Sequence, residues 1–261
     1  MPASVGAAQA NALVSAYFET VVKLTEPMPG ARLWEGGAGT IARLTPLPIA
    51  DVNFVYAGHD RDLGEVDAFA REMSASGLPW NLQVRGEVDR DLERLADRHG
   101  KTVASTVPLL LWDAGSLAGL SAAIPAGTRV RKLSGADSKT FAAAIAAGYG
   151  VPEEIPGTLY GPAVLDAPGV TAFVLELSGE AVATGLNVIA NGHVGMYNGS
   201  VVPRHRGNGY YRALVTARLA DAVAHGARHA FSRNTPMSRP LFEAVGFRVA
   251  ETWTHFTNAT E

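Results

Sequence analysis

The stretch Val201-Val-Pro-Arg-His-Arg-Gly-Asn-Gly-Tyr-Tyr211 constrains this chain more than any other, because a β-branched strand end runs through a charged glycine turn into a helix. The first amides of a helix have no partner inside it and point outward; with the positive end of the helix dipole they form a site for phosphate oxygens. Gly207 and Gly209 lack Cβ atoms, so a pyrophosphate can approach the backbone and the loop can take positive φ. Arg204 and Arg206 add positive charge. A Gly-x-Gly turn by itself also fits an ordinary strand-to-helix loop. The flanks exclude two common alternatives: antiparallel strands precede the turn where a dinucleotide-binding unit needs alternating βαβ, and no Lys-Ser or Lys-Thr follows as a Walker loop requires.

Hydrophobic periodicity sets the elements around this motif. In the second half it predicts a strand over 129–133, a helix over 138–148, and a hairpin of 171–178 and 181–190 around Gly179. A strand over 193–202, helix 210–224, strand 227–232, helix 237–245 and strand 248–256 follow. In the first half, Leu13, Ala16, Tyr17, Val21 and Leu24 give helix 8–24 one buried face. Strands 40–44 and 52–56 flank the Pro46 and Pro48 turn; then come helix 64–76, strand 80–84, helix 89–99 opened by an Asp cap, and strand 103–112. The small residues of 113–127 suit a connector, so the expected division is a domain over 1–115, a linker over 116–128 and a domain over 129–261.

The end of the second half repeats the end of the first. At an offset of 146 residues, Leu95-Ala-Asp-Arg-His-Gly100 falls on Leu241-Phe-Glu-Ala-Val-Gly246, and Val103, Ala104 and Thr106 fall on Val249, Ala250 and Thr252. The shared order of helix, strand, helix, Gly, strand predicts a duplicated fold. At the same offset the phosphate turn becomes Ala57-Gly-His-Asp-Arg-Asp-Leu63, with Arg61 and Leu63 in place of the glycines and two aspartates that would repel phosphate. The first copy is therefore expected to have lost the ligand of the second and to survive as a packing partner that walls one side of the second copy's cleft.

With 261 residues, 47% of them hydrophobic, the chain can bury two cores of ordinary size. Net charge is −3 and the 22 Lys and Arg are scattered, which argues against a nucleic-acid surface. Cysteine is absent, which removes disulfides, thiolate metal sites and a Cys nucleophile, and suits a reducing cytosol. No stretch approaches the roughly 18 apolar residues that span a bilayer, and no secretory leader pattern opens the chain. The expectation is a soluble, cytoplasmic protein without metal, nucleic-acid or membrane partners.

The glycine turn resembles the acyl-CoA motif of the GNAT superfamily of N-acetyltransferases, written Arg or Gln, x, x, Gly, x, Gly or Ala, here Arg204, Gly207 and Gly209. Val201 and Pro203 stand where that family ends its central strand with Val-x-Pro, and Leu241-Phe-Glu-Ala-Val-Gly-Phe247 is similar to its Leu-Tyr-Glu-x-Leu-Gly-Phe helix end. The resemblance spans about half the chain. It implies an α+β fold, a central mixed and mostly antiparallel sheet flanked by helices, here in two similar domains. It also implies acetyl-CoA as co-substrate: the backbone of Val201 and Val202 would take the pantetheine arm, and amides from Arg206, Gly207, Asn208 and Gly209 to Tyr210 the pyrophosphate. Asn234 matches an Asn that often contacts the cofactor, and equally fits a turn or helix cap before Pro236. Homodimers are common in the family, so one is possible here.

The sequence departs from the family in two places. Many members use the Tyr of Leu-Tyr-Glu to protonate the leaving thiolate, and that position here is Phe242, which cannot donate. Either the thiolate leaves unassisted, another donor such as Ser238 or a water serves, or turnover is slow; a capping or exposed hydroxyl is the commoner role for such a serine. The central strand, Gly195-Met-Tyr-Asn-Gly-Ser200, lacks the Glu that serves as base elsewhere, which leaves direct attack by a neutral amine held close to the thioester. Tyr197 and Asn198 are candidates for substrate contact, against a packing role for Tyr197; His193 and His255 read as structural. The expected activity is acetyl transfer from acetyl-CoA to a primary amine of a small molecule in a ternary complex. A protein amine as acceptor and a non-catalytic acyl-CoA binding module are the alternatives.

Overall fold

Strand edges need partners and helix stripes need an apolar surface, and in this chain both demands are met by two mixed α/β units. The computed structural model describes residues 5–120 and 123–259. In chain order it contains α1 (Ala7–Thr25), β1 (Arg32–Glu35), β2 (Ile41–Leu44), β3 (Phe54–Ala57), α2 (Leu63–Ala75), β4 (Asn81–Arg85), α3 (Arg90–Arg98) and β5 (Val103–Asp113). There follow β6 (Thr128–Leu133), α4 (Ser138–Tyr149), α5 (Glu154–Leu159), α6 (Pro162–Leu165), β7 (Val170–Leu177), β8 (Glu180–Ala190) and β9 (His193–Val201). The last elements are α7 (Tyr210–Ala224), β10 (His229–Arg233), α8 (Arg239–Val245) and β11 (Arg248–Thr257).

One unit holds the described residues up to Met28 together with Leu110–Ala250, and the other holds Pro29–Leu109 with the described residues from Glu251 on. The units thus cut the chain elsewhere than the expected linker at 116–128. Helix α1 belongs with the second half, because Leu13, Ala16, Tyr17 and Val21 bury a face that packs on β8 and β9. The would-be connector also lies within that unit, where Leu117 and Leu120 pack on its core; residues 121 and 122 lie outside the described residues. The end of β11 lies in the first unit and the end of β5 in the second, so each takes a strand segment from the other half of the sequence.

In the second unit β6, β7, β8 and β9 are antiparallel neighbours, β10 joins β9 in parallel through α7, and the end of β5 lies beside β10. Two-residue turns set the hairpin registers: Ser178 and Gly179 have φ of 51° and 88°, and Asn191 and Gly192 have 49° and 71°. Positive φ at both central residues matches the right-handed twist of the flanking strands. Helix α7 buries Leu214, Val215, Leu219 and Ala222, and the core continues through Val194, Ala230, Trp112 and Phe242.

In the first unit β1, β2 and β3 are antiparallel, β3 and β4 are parallel through α2, and the end of β11 pairs antiparallel with β4, Trp253 opposite Arg85 and His255 opposite Gln83. Asp89 caps α3 as expected, its carboxylate accepting from the amides of Asp91 and Leu92 at 3.1 and 2.9 Å. The order antiparallel pair, turn, helix, parallel strand, helix, strand occurs in both halves, as the repeat predicts. The sequence reading misses β1, whose Arg32-Leu-Trp-Glu35 is only partly buried, and the short helices α5 and α6, which carry Pro156 and Pro162. Among the described residues no helix is long and apolar enough to cross a membrane.

Trp253 is 1% exposed and its ring lies 5.0 Å from that of Tyr56. Truncating it to Ala should destabilise the first unit by about 3–5 kcal/mol through lost burial and a residual cavity; denaturant unfolding followed by far-UV circular dichroism would measure this.

Candidate functional site

Strands β9 and β10 pair over three residues only, His193 with His229, Val194 with Ala230 and Gly195 with Phe231, while β9 continues to Val201 and β10 to Arg233. Their C-terminal ends therefore lack ladder partners beyond Gly195, where Ser232 Oγ still donates to Met196 O at 3.3 Å, and the gap past that bond is the candidate cleft. On its other edge β9 carries a bulge: Leu186 faces Tyr197 but Thr184 faces Ser200, so β9 has one extra residue there, and Asn198 takes a φ of 51°.

After β9 the chain makes a short 3-10 turn at Pro203–His205 and reaches α7 through Gly207 and Gly209, whose φ values are 82° and 75°. Gly209 is the N-cap residue of α7 and offers no side-chain acceptor. Among the described residues no protein group accepts from the amides of Gly207, Asn208 or Gly209. A Cβ at either glycine would meet no atom within 4 Å, so the ground in front of the helix is open. The Asn208 side chain folds back, donating to the carbonyls of His205 and Arg206 at 3.1 and 3.2 Å. Tyr210 is half-buried with its ring 6.4 Å from that of His205.

The two arginines are more committed than their position in the sequence suggests. Arg204 pairs with Glu180, and Arg206 donates to the carbonyls of Val201 and Gly148 at 3.2 and 3.0 Å. The Val202 amide donates to Val182 O at 3.0 Å. Of the main-chain groups expected to receive an arm, the Val202 amide, the Val201 carbonyl and the Val202 carbonyl, which accepts from the His205 amide at 2.8 Å, are thus already bonded. Asn234, just past β10, donates from Nδ2 to Ser238 Oγ at 3.2 Å, while its Oδ1 is buried without a partner. That orphaned acceptor points to a missing donor.

The candidate catalytic hydroxyls have protein partners. Ser238 Oγ shares the turn with Asn234 and with Thr235, whose carbonyl it donates to at 3.4 Å. The Tyr197 hydroxyl meets Thr20 of α1, and its ring lies edge-on to Phe231 at 6.2 Å. Nearby, Arg233 donates to the Tyr17 hydroxyl at 2.9 Å. Phe242 is 1% exposed, with the rings of Phe247 and Tyr211 4.9 and 6.1 Å away. His193 is buried in a turn contact with Asn191 O, where desolvation lowers its pKa, and His255 lies on β11. Among the described residues no group of three or more His, Asp or Glu could hold a metal ion.

Two residues here were missed in the sequence. Arg218 is fully buried under the bulge, and desolvation lowers its pKa to about 10. The Tyr211 hydroxyl lies against Gly199 and Arg218, and burial pushes it up to about 12. The signal was helical periodicity: Tyr211, Arg218 and Ala222 share the buried stripe of α7.

Residues 144–247 match the sequence profile of the acetyltransferase (GNAT) family. That segment, which contains the bulge, the glycine turn and α8, is a GNAT acetyltransferase domain. The whole chain has the fold of larger GNAT proteins. It is similar to a GCN5-related N-acetyltransferase from Kribbella flavida with 18% identity, 97% of this chain and 96% of that chain covered, and a TM-score of 0.66. A tandem GNAT protein from the clavulanic acid biosynthesis pathway shares 14% identity over 94% and 97% of the two chains with a TM-score of 0.59. A GCN5-related N-acetyltransferase from Sphaerobacter thermophilus shares 15% over 99% and 96% with a TM-score of 0.57. No curated protein matches in sequence.

Since Phe242 is enclosed by aromatic rings, restoring the family's tyrosine should not restore a proton donor. Phe242→Tyr should lower stability by about 1–3 kcal/mol through overpacking and leave any turnover unraised, as thermal melts and thioester assays would show.

Proposed function

We propose that this protein is an acetyl-CoA dependent N-acetyltransferase that acetylates a primary amine of a small molecule by direct attack in a ternary complex. The observation that carries this reading is the set of unaccepted amides at Gly207, Asn208 and Gly209 at the mouth of the β9–β10 cleft. They suit a pyrophosphate, the open ground before both glycines suits its close approach, and the orphaned Asn234 Oδ1 suits a donor on the pantetheine arm. Arg204 and Arg206 act less as phosphate ligands than as rim charges, and because the Val202 carbonyl already accepts from the His205 amide, the arm is left with Val201 N–H as the main-chain partner to test.

Bound acetyl-CoA would supply an activated acyl carbon. With no carboxylate between Gly195 and Ser200, the amine must arrive neutral, and acceleration comes from proximity and from donors aimed at the developing oxyanion. Ser238 Oγ accepts from Asn234 and Tyr197 belongs to the bulged stretch of β9, which keeps both as candidates for substrate contact. The buried Phe242 favours a second reading, a binding module without turnover, and a protein amine is the remaining acceptor class.

The first unit fits a copy that has lost its ligand. Asp62 caps α2 by accepting from the Glu65 amide at 3.0 Å, so a carboxylate of the chain itself stands where a phosphate would bind. Arg61 is turned away to the carbonyls of Gly58 and Arg85. Calorimetry is expected to find one coenzyme A site per chain.

Gly209→Val changes little besides φ strain of about 1–2 kcal/mol. At coenzyme A a hundredfold above Kd the wild type should gain about 2.7 kcal/mol of stability, and the variant should fold but lose this gain. Undiminished stabilisation would overturn the loop assignment. Turnover of acetyl-CoA with a panel of small amines separates the enzyme from the binding module; binding without release of free thiol would favour the latter.

A further inference from the structure

Each carbonyl of the β9 bulge is taken by a side chain from a different element. Thr184 Oγ1 donates to Asn198 O at 3.0 Å, and the Tyr149 hydroxyl donates to Gly199 O at 3.2 Å. The Tyr197 carbonyl accepts from Arg218, whose Nη2 donates to it at 3.2 Å and to Leu186 O across the ladder at 2.6 Å. Arg218 Nε donates to Asn187 Oδ1 at 3.0 Å, and Asn187 Nδ2 returns a bond to the Arg218 carbonyl at 2.9 Å. The guanidinium is therefore fixed at three points.

Its setting is unusual for a cation. Arg218 is fully buried, and its electrostatic neighbours are the hydroxyls of Tyr211 and Tyr149 instead of a carboxylate. A pKa of about 10 still leaves it charged at neutral pH. Burying such a charge is unfavourable, and an apolar side chain on this stripe of α7 would pack without that penalty. The fold also makes room for it: a Cβ at Gly185 would collide with the guanidinium, and one at Gly199 with the Tyr211 hydroxyl. What the arginine supplies that a leucine would not is a planar fork that binds the carbonyls of Leu186 and Tyr197, on the two strands next to the bulge.

We infer that Arg218 is a positioning residue, which sets the bulged main chain of Tyr197, Asn198 and Gly199 against the acyl end of acetyl-CoA. The inference rests on the proposed function. The phosphate turn lies past the C-terminal end of β9, and pairing with β10 resumes only at Gly195 and Phe231. An arm entering from the turn along β9 reaches the bulge before the strands close. The amides for the phosphates and the fork for the bulge also sit on one helix, so α7 fixes both ends of the thioester relative to each other.

The test uses the full chain and three variants: Arg218→Met, which keeps volume; Arg218→Lys, which keeps charge and loses the fork; and Gly185→Ala, which keeps the arginine and displaces it. Affinities for coenzyme A and for acetyl-CoA would be measured by calorimetry, and kcat and KM with an accepted amine. In Arg218→Met, coenzyme A affinity should stay within about threefold of wild type while relative affinity for acetyl-CoA and kcat each fall about tenfold or more, with KM for the amine little changed. Arg218→Lys should recover part of the loss, and Gly185→Ala should reproduce it if the methionine variant does not fold. A folded variant with wild-type kcat and an unchanged affinity ratio would overturn the clamp alone, as would an equal loss for both ligands. If the wild type binds neither ligand, the proposed function falls and takes the clamp with it.

Discussion

Three rungs of parallel pairing, ending at Gly195 and Phe231, join β9 to β10, and past that point the ladder between them stops. A sheet that parts in its interior exposes main-chain groups, so the open ends must be held by something other than a ladder. On the β9 side the hold comes from Val202 N–H on Val182 O, from the three side chains on the bulge, and from α7 packed beneath. On the β10 side it comes from Arg233 on Tyr17, while Ser232 Oγ, bonded to Met196 O at 3.3 Å, still ties the two strands one residue past the last rung. The opening is thus enforced by side chains from α1, α4, α7 and β8, which together give the second unit its site.

Much of this was legible in the sequence wherever the signal was local. The helix over 210–224 has the bounds read from its periodicity, both hairpin turns fall at Gly179 and Gly192, and Gly207 and Gly209 take the positive φ that their place in the turn demands. Helix 8–24 was equally clear as a helix, but no local pattern says which core its apolar stripe will join. The bulge was hidden for a related reason: it sits at Asn198, between residues that alternate normally, and is visible only once β8 is laid beside β9. Arg204 and Arg206 mark the limit of reading charge from a motif, because their partners Glu180 and Gly148 O come from distant parts of the chain. Arg218 was readable in principle, as a lone cation on the buried stripe of an otherwise apolar helix.

The chemistry of the site follows from what the fold leaves uncommitted. Most of its hydroxyls are occupied: Ser238 in its own turn, Tyr197 with α1, Tyr211 in contact with a buried guanidinium. Uncommitted groups are amides and amide side chains, namely the turn at Gly207–Gly209, Asn234 Oδ1 and Asn198 Nδ2. Such groups orient and polarise; at neutral pH they neither take up nor release protons. A site of this composition suits a reaction whose barrier is mostly geometric.

The crossing of β5 and β11 between units bears on how such a chain can change over generations. A gene duplication normally leaves one copy dispensable, free to decay or be cut away. Here neither half owns all the strands of its own sheet, so removing the first half would strip Leu110–Asp113 from beside β10 in the second unit. Substitutions in the loop at Ala57–Leu63 leave those strand segments in place. Leu110–Asp113, which the first half of the sequence supplies, is thereby an obligate component of the second unit's own sheet.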